Sequence, residues 1–112
     1  MPKSVSAAGA DVPGKMAEHF YSPEARLDLL EIWEFIARDN LDAADRVEQE
    51  IEQAVSMLAR DPKLGHLRPD LTSKPVRFWP IYSYLIIYDP ATQPLEIVRI
   101  LSGYRDVASL LK

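Results

Sequence analysis

The sequence predicts an α+β domain of two layers, with a helical hairpin laid on a mainly antiparallel sheet. Three observations predict it. Two apolar stripes at helical spacing follow one another between Ala25 and Leu58, broken only by Asp39-Asn40. Three β-prone runs come next, within Val76 to Leu101, joined by links of hairpin length. A short segment ending in aromatics, Glu18 to Tyr21, precedes the first stripe and suits an opening strand. The expected order is β-α-α-β-β-β, with a possible short helix at the end.

Each element has its local signals. Ser22-Pro23 starts the first helix, because serine caps free N–H groups and proline at the first helical position loses no hydrogen bond. Glu24 and Asp28 suit the positive end of its dipole. Ala25, Leu29, Ile32, Trp33 and Ile36 form its inner face. Asn40 tolerates the left-handed backbone of a helix end, and Asn40 or Asp42 caps the second helix. Ala44, Val47, Ile51, Ala54, Val55 and Leu58 make the second stripe, with Glu48, Glu50 and Glu52 mostly outward. Asp61-Pro62 and Gly65 end it. So short a link makes the helices antiparallel, and two stripes of large apolar groups need a sheet beneath them.

Val76 to Trp79 is the first strand of that sheet, limited as an inner strand by Pro80. Tyr84 to Tyr88 is wholly β-branched, aromatic or leucine. Asp89-Pro90 to Pro94 is a turn, and Leu95 to Leu101 is the last strand. Asp106 to Leu111 fits a terminal helical turn or two. Tyr82, Tyr84 and Tyr88 fall at even spacing, which predicts one shared sheet face. Trp33 and Trp79 are expected in the core.

Composition narrows the function. The chain has 112 residues, one domain's worth. It has no cysteine and two histidines, so disulfides, thiolate metal sites and a histidine cage are excluded, and no cofactor is expected. No apolar run suits a membrane span and the start lacks a secretory core, so the cytoplasm is the expected compartment. Residues 1–15 read as a flexible leader without assigned function, and 16–112 as the domain. The net charge of −4 argues against a protein living on nucleic acid. The charge is uneven, however. Residues 1–60 hold six Lys/Arg against twelve Asp/Glu, and residues 61–112 hold seven against five. Two faces with different partners fit that asymmetry.

These signals together resemble the RelE/ParE toxins of bacterial type II toxin–antitoxin systems. The resemblance rests on Tyr21-Ser22-Pro23-Glu24-Ala25, Leu30 to Ala37, Ala43-Ala44-Asp45-Arg46, Asp61 to Gly65 with Arg68-Pro69, Val76-Arg77, Tyr84 to Tyr88 and Ile97 to Asp106. It runs from about His19 to the C-terminus. It implies the family's fold and a partner antitoxin that wraps the toxin with an amphipathic segment. RelE-like members cut messenger RNA on the ribosome, whereas ParE-like members act on DNA gyrase without an equivalent catalytic set.

Ribonuclease chemistry needs a base for the 2′-hydroxyl, cations for the phosphorane and an acid for the leaving oxygen. His66, Arg68, Arg77, Arg99 and Tyr104 are the candidates for that set. The supply of cations is thin, and where several RNA-cutting relatives carry a histidine after the last strand this chain reads Ser102-Gly103-Tyr104. Bland readings stand beside these. His66 fits a solvated loop, and Arg77 and Arg99 fit pairing across the sheet or bridges to Glu96 or Asp106. Arg105-Asp106 fits a cap on the last turn. The expectation is therefore a ParE-like inhibitor of DNA gyrase, acting by binding and neutralised by a ParD-like antitoxin in a hetero-oligomer. Operator DNA would be met only through the antitoxin. Arg68, Arg77, Arg99, Tyr104 and Arg105 are the expected partner-binding residues. A RelE-like ribonuclease and a non-toxic, antitoxin-bound member are the alternatives.

Overall fold

A computed structural model describes residues 18–111. The proposed leader, 1–15, lies outside them. The elements in order are β1 (His19–Tyr21), α1 (Pro23–Ala37), α2 (Leu41–Arg60), β2 (Arg77–Ile81), β3 (Tyr84–Asp89), β4 (Leu95–Ser102) and α3 (Val107–Leu110). The expected order and class hold.

The caps form as the residue types dictate. Ser22 Oγ accepts from Ala25 N–H at 3.0 Å, and Asn40 Oδ1 accepts from Ala43 N–H at 3.0 Å. The sheet order is β1-β4-β3-β2. β2, β3 and β4 are antiparallel neighbours, while β1 returns beside β4 in parallel. β2 is an edge strand, and it runs through Pro80 to Ile81 instead of stopping at Trp79.

The helical hairpin covers one face of the sheet. Ala25, Leu29 and Ile32 of α1 and Ile51, Val55 and Leu58 of α2 are buried against Ile86, Tyr88, Leu95, Ile97 and Ile100. Trp33 departs from expectation. It is half-buried, and its indole N–H donates to Asp45 of α2 at 2.8 Å, so it ties the two helices together outside the core.

The opposite face is also covered, which adds a partial third layer to the expected two. Val107 and Leu111 at the end of the chain pack with Val76, Phe78, Ile87 and Leu101, and Leu71 from the α2–β2 connection joins them.

A register shift opposite Ile87 and Tyr88 decides which β4 residues face which layer. Leu95 and Ile97 face the helices, and the next residue to do so is Ile100. Unbroken alternation from Leu95 would have put Arg99 in the helix-side core. The extra residue at Val98 reverses the later half of the strand.

The three tyrosines do not share one environment. Tyr84 and Tyr88 pack on the helix side. Tyr82 sits in the β2–β3 turn at φ 54°, exposed, with its hydroxyl bonded to Glu50 of α2.

Candidate functional site: a cleft beside the free end of β4

β1 is only three residues long and pairs with β4 as far as Ile97. Beyond that point the edge of β4 is bounded by α1, whose side chains replace a neighbouring strand. Ser22 donates its backbone N–H to Ile97 C=O at 2.9 Å and its hydroxyl to Val98 C=O at 2.8 Å. Six residues further on, Asp28 Oδ2 accepts from Ile100 N–H at 3.0 Å.

Asp28 is 6% exposed, and a carboxylate so buried needs a counter-charge. Arg99 supplies it, donating from Nε at 2.8 Å and Nη2 at 2.9 Å in a two-pronged pair. The hydrogen bond to Asp28 is the main reason that the Arg99 pKa is raised; burial opposes it, and the charges of Glu24 and Glu31 add to the rise. Arg99 shares a face with Ile87, away from the helices, so its side chain reaches Asp28 around the strand edge.

Past this pair the edge opens into a cleft of about 500 Å³. α1 contributes Asp28, Glu31, Ile32 and Phe35 to one wall. Tyr84, Ile100 and Ser102 come from the sheet, Ser83 from the β2–β3 turn, and Tyr104 with Arg105 from the segment after β4. Phe35 is 66% exposed and Tyr104 90% exposed, an unusual amount of aromatic surface left to water.

The predicted residues fall into two groups. Arg99, Tyr104 and Arg105 lie around β4 and its continuation. His66, Arg68 and Arg77 lie at the other edge of the sheet. His66 is exposed and forms a bridge with Phe78 of β2, exchanging backbone hydrogen bonds of 2.9 and 2.8 Å. Arg77 Nη1 donates to Gly65 C=O at 2.7 Å, and Arg68 pairs with Asp70 at 2.8 Å in the open. Neither strand arginine takes the Glu96 or Asp106 partner expected for it. Asp106 instead caps α3, accepting from the Ser109 hydroxyl at 2.8 Å and its N–H at 3.4 Å.

His66, β2, β3 and β4 stand side by side, so His66 is three strand spacings from β4, roughly 14 Å. A general acid and base must each lie within about 3 Å of the proton they move, or one water away. His66 and Tyr104 therefore do not form one site in this arrangement.

Sequence reasoning missed Asp28, noted there only for the helix dipole. The available signal was its place on the inner side of α1, three residues after Ala25 and four before Ile32, where a carboxylate demands a partner. It also missed the Tyr88 hydroxyl, which accepts from Gly65 N–H at 2.8 Å and donates to Pro62 C=O at 2.6 Å. Burial raises the Tyr88 pKa, and the Gly65 hydrogen bond opposes that rise.

Among the solved structures of similar fold is one described as the chromosomal ParDE TA system from P. aeruginosa. It is 20% identical with a TM-score of 0.62, over 75% of this chain and 92% of that one. No curated protein matches the chain. No helix among the described residues is long and apolar enough to cross a membrane. The family described as "ParE toxin of type II toxin-antitoxin system, parDE" matches residues 20–107, and with most of its length matched the chain belongs to the ParE toxin family.

Proposed function

We propose that this protein inhibits DNA gyrase by binding it, as the toxin of a type II system, and that a ParD-like antitoxin neutralises it. Family membership over residues 20–107 carries the reading. The geometry supports binding over catalysis, because the candidate base His66 and the candidate acid Tyr104 stand toward opposite edges of the sheet. The similar structure's description as a ParDE system supports an antitoxin partner. The exposed Tyr104-Arg105 segment beside the cleft is the surface proposed to meet the target, and the cytoplasm is the proposed compartment.

The test pairs a supercoiling assay with growth measurement. Purified protein should block gyrase-driven supercoiling, and induction should trigger DNA-damage signalling before any transcript is cut. His66→Ala and Tyr104→Phe should retain growth inhibition. Arg105→Ala should weaken it by about 1–3 kcal/mol of target affinity, the usual scale for an important interface residue. Ribosome-bound transcripts cleaved within minutes of induction, with cleavage lost in Tyr104→Phe, would overturn the reading in favour of the ribonuclease. Normal growth with intact antitoxin binding would indicate a non-toxic member.

A further inference from the structure

The backbone along the cleft is itself a recognition element. In an antiparallel ladder, successive residue pairs alternate between those that exchange hydrogen bonds and those whose N–H and C=O point outward. Ile100 N–H is taken by Asp28, so the Ile86–Ile100 pair is of the outward kind, and so is Tyr84–Ser102 two residues on. Gly103 N–H donating to Ser83 C=O at 2.8 Å fits the same alternation.

Four backbone groups therefore turn toward the cleft. Asp28 holds Ile100 N–H, and Arg105 N–H donates to Ser102 C=O at 3.1 Å. No turn, loop or side-chain hydrogen bond of the described residues reaches the other two, Ile100 C=O and Ser102 N–H. An antiparallel neighbour would need both groups of one residue, and each residue already has one engaged. A parallel neighbour uses the C=O of one residue and the N–H of the residue two further on. The open pair has that arrangement, and it continues the parallel direction in which β1 lies on the same edge.

The side chains around it say what such a neighbour would carry. Ile32, Phe35 and Tyr84 offer apolar contact. The Asp28 carboxylate is consumed by Arg99 and Ile100, whereas Glu31 is exposed and forms no salt bridge among the described residues. Glu24 and Glu34 lie exposed on the same helix.

We propose that the cleft binds a short extended peptide, running parallel to β4, that pairs with Ile100 C=O and Ser102 N–H and turns a Lys or Arg toward Glu31. Strand addition obtains affinity from main-chain hydrogen bonds and specificity from side-chain pockets. A volume of about 500 Å³ suits a short segment. The inference does not depend on gyrase being the target.

The full chain is titrated with fluorescein-labelled Lys-Val-Leu-Val-Lys, with Glu-Val-Leu-Val-Glu, and with the lysine peptide N-methylated at both valines, the residues whose N–H groups turn to β4 when the lysines face Glu31. The lysine peptide should bind best, and N-methylation should weaken it by about tenfold. Glu31→Arg, a change at an exposed position, should reverse the preference toward the glutamate peptide. Binding should protect the Ser102 amide from hydrogen exchange. Equal binding of the N-methylated peptide, an unchanged preference in Glu31→Arg, or an unprotected Ser102 amide would each overturn the proposal. So would binding of neither peptide, or a concentration-dependent dimer that closes the cleft. None of these outcomes bears on gyrase inhibition, so the two readings fail separately.

Discussion

Asp28 joins α1 to β4 through three hydrogen bonds, and its removal tests the strut directly. Asp28→Ala leaves Ile100 N–H and the Arg99 guanidinium without their acceptor, and breaking a buried pair costs about 3–5 kcal/mol. Arg99→Ala should cost at least as much, because it strands the more buried charge: the Asp28 side chain is 6% exposed, whereas Asp28→Ala strands an Arg99 side chain that is 21% exposed. Urea midpoints at constant slope measure both. Trp33→Ala should cost about 1–2 kcal/mol, below the about 3–5 kcal/mol of a fully buried aromatic, since the indole is half-buried and its Asp45 bond is exposed. His19 brings a pH dependence. Burial lowers its pKa from 6.5, with the nearby Glu18 charge partly offsetting, and its Nδ1 is buried without a hydrogen-bond partner among the described residues. As pH falls below 6.5 the unfolded chain takes up a proton that the folded chain resists, so stability present above 6.5 is lost until the folded pKa is passed. Comparing midpoints at about pH 7 and pH 5, His19→Gln should lose less stability on acidification than the parent.

The connection between α2 and β2 has no regular structure of its own until it reaches the sheet, yet it is held at defined points. Tyr88 grips Pro62 and Gly65, Arg77 grips Gly65 again, and His66 pairs with Phe78. Gly65 is required there by space. A Cβ at that position would collide with the Tyr88 hydroxyl and lie 3.0 Å from the Phe78 carbonyl oxygen. Gly65→Ala should therefore destabilise the connection, and Tyr88→Phe in the same chain should recover only part of the loss, because the Phe78 backbone cannot yield as a side chain can. Tyr88→Phe alone forfeits both hydroxyl bonds, at about 1–3 kcal/mol for the buried group left unpaired. Hydrogen exchange of the Gly65 and His66 amides reads the loosening locally, apart from global unfolding.

Across the whole molecule, the two faces of the sheet are covered by different parts of the chain. The helices cover one, and the chain end with the Leu71 segment covers the other. Val107 is 4% exposed and Leu111 5% exposed, so truncation after Gly103 uncovers Val76, Phe78, Ile87 and Leu101 as well as removing Arg105. That truncation should lower the thermal midpoint and raise binding of a hydrophobic dye, whereas Arg105→Ala should change neither, since Arg105 is exposed. A loss of growth inhibition in the truncated chain would therefore report unfolding and contact together, and the point variant separates them.

Helix and strand existence, the Ser22 and Asn40 caps, the antiparallel run of β2 to β4 and most of the helix-side core were determined by the sequence itself. Periodicity and capping act within a few residues, and Ala25, Leu29, Ile51, Val55 and Leu58 carry their burial in their spacing. Other features depend on what the fold brings near. The extra residue at Val98 reversed the later half of β4, so alternation from Leu95 misplaces Arg99 and Ile100. Asp28 and Arg99 are seventy-one residues apart in sequence, and only the passage of α1 across the β4 edge makes them partners. The cleft exists because β1 stops at Tyr21 and leaves the β4 edge to side chains of α1. Local signals mark where a strand ends, but the atoms that face its uncovered edge are decided by tertiary packing.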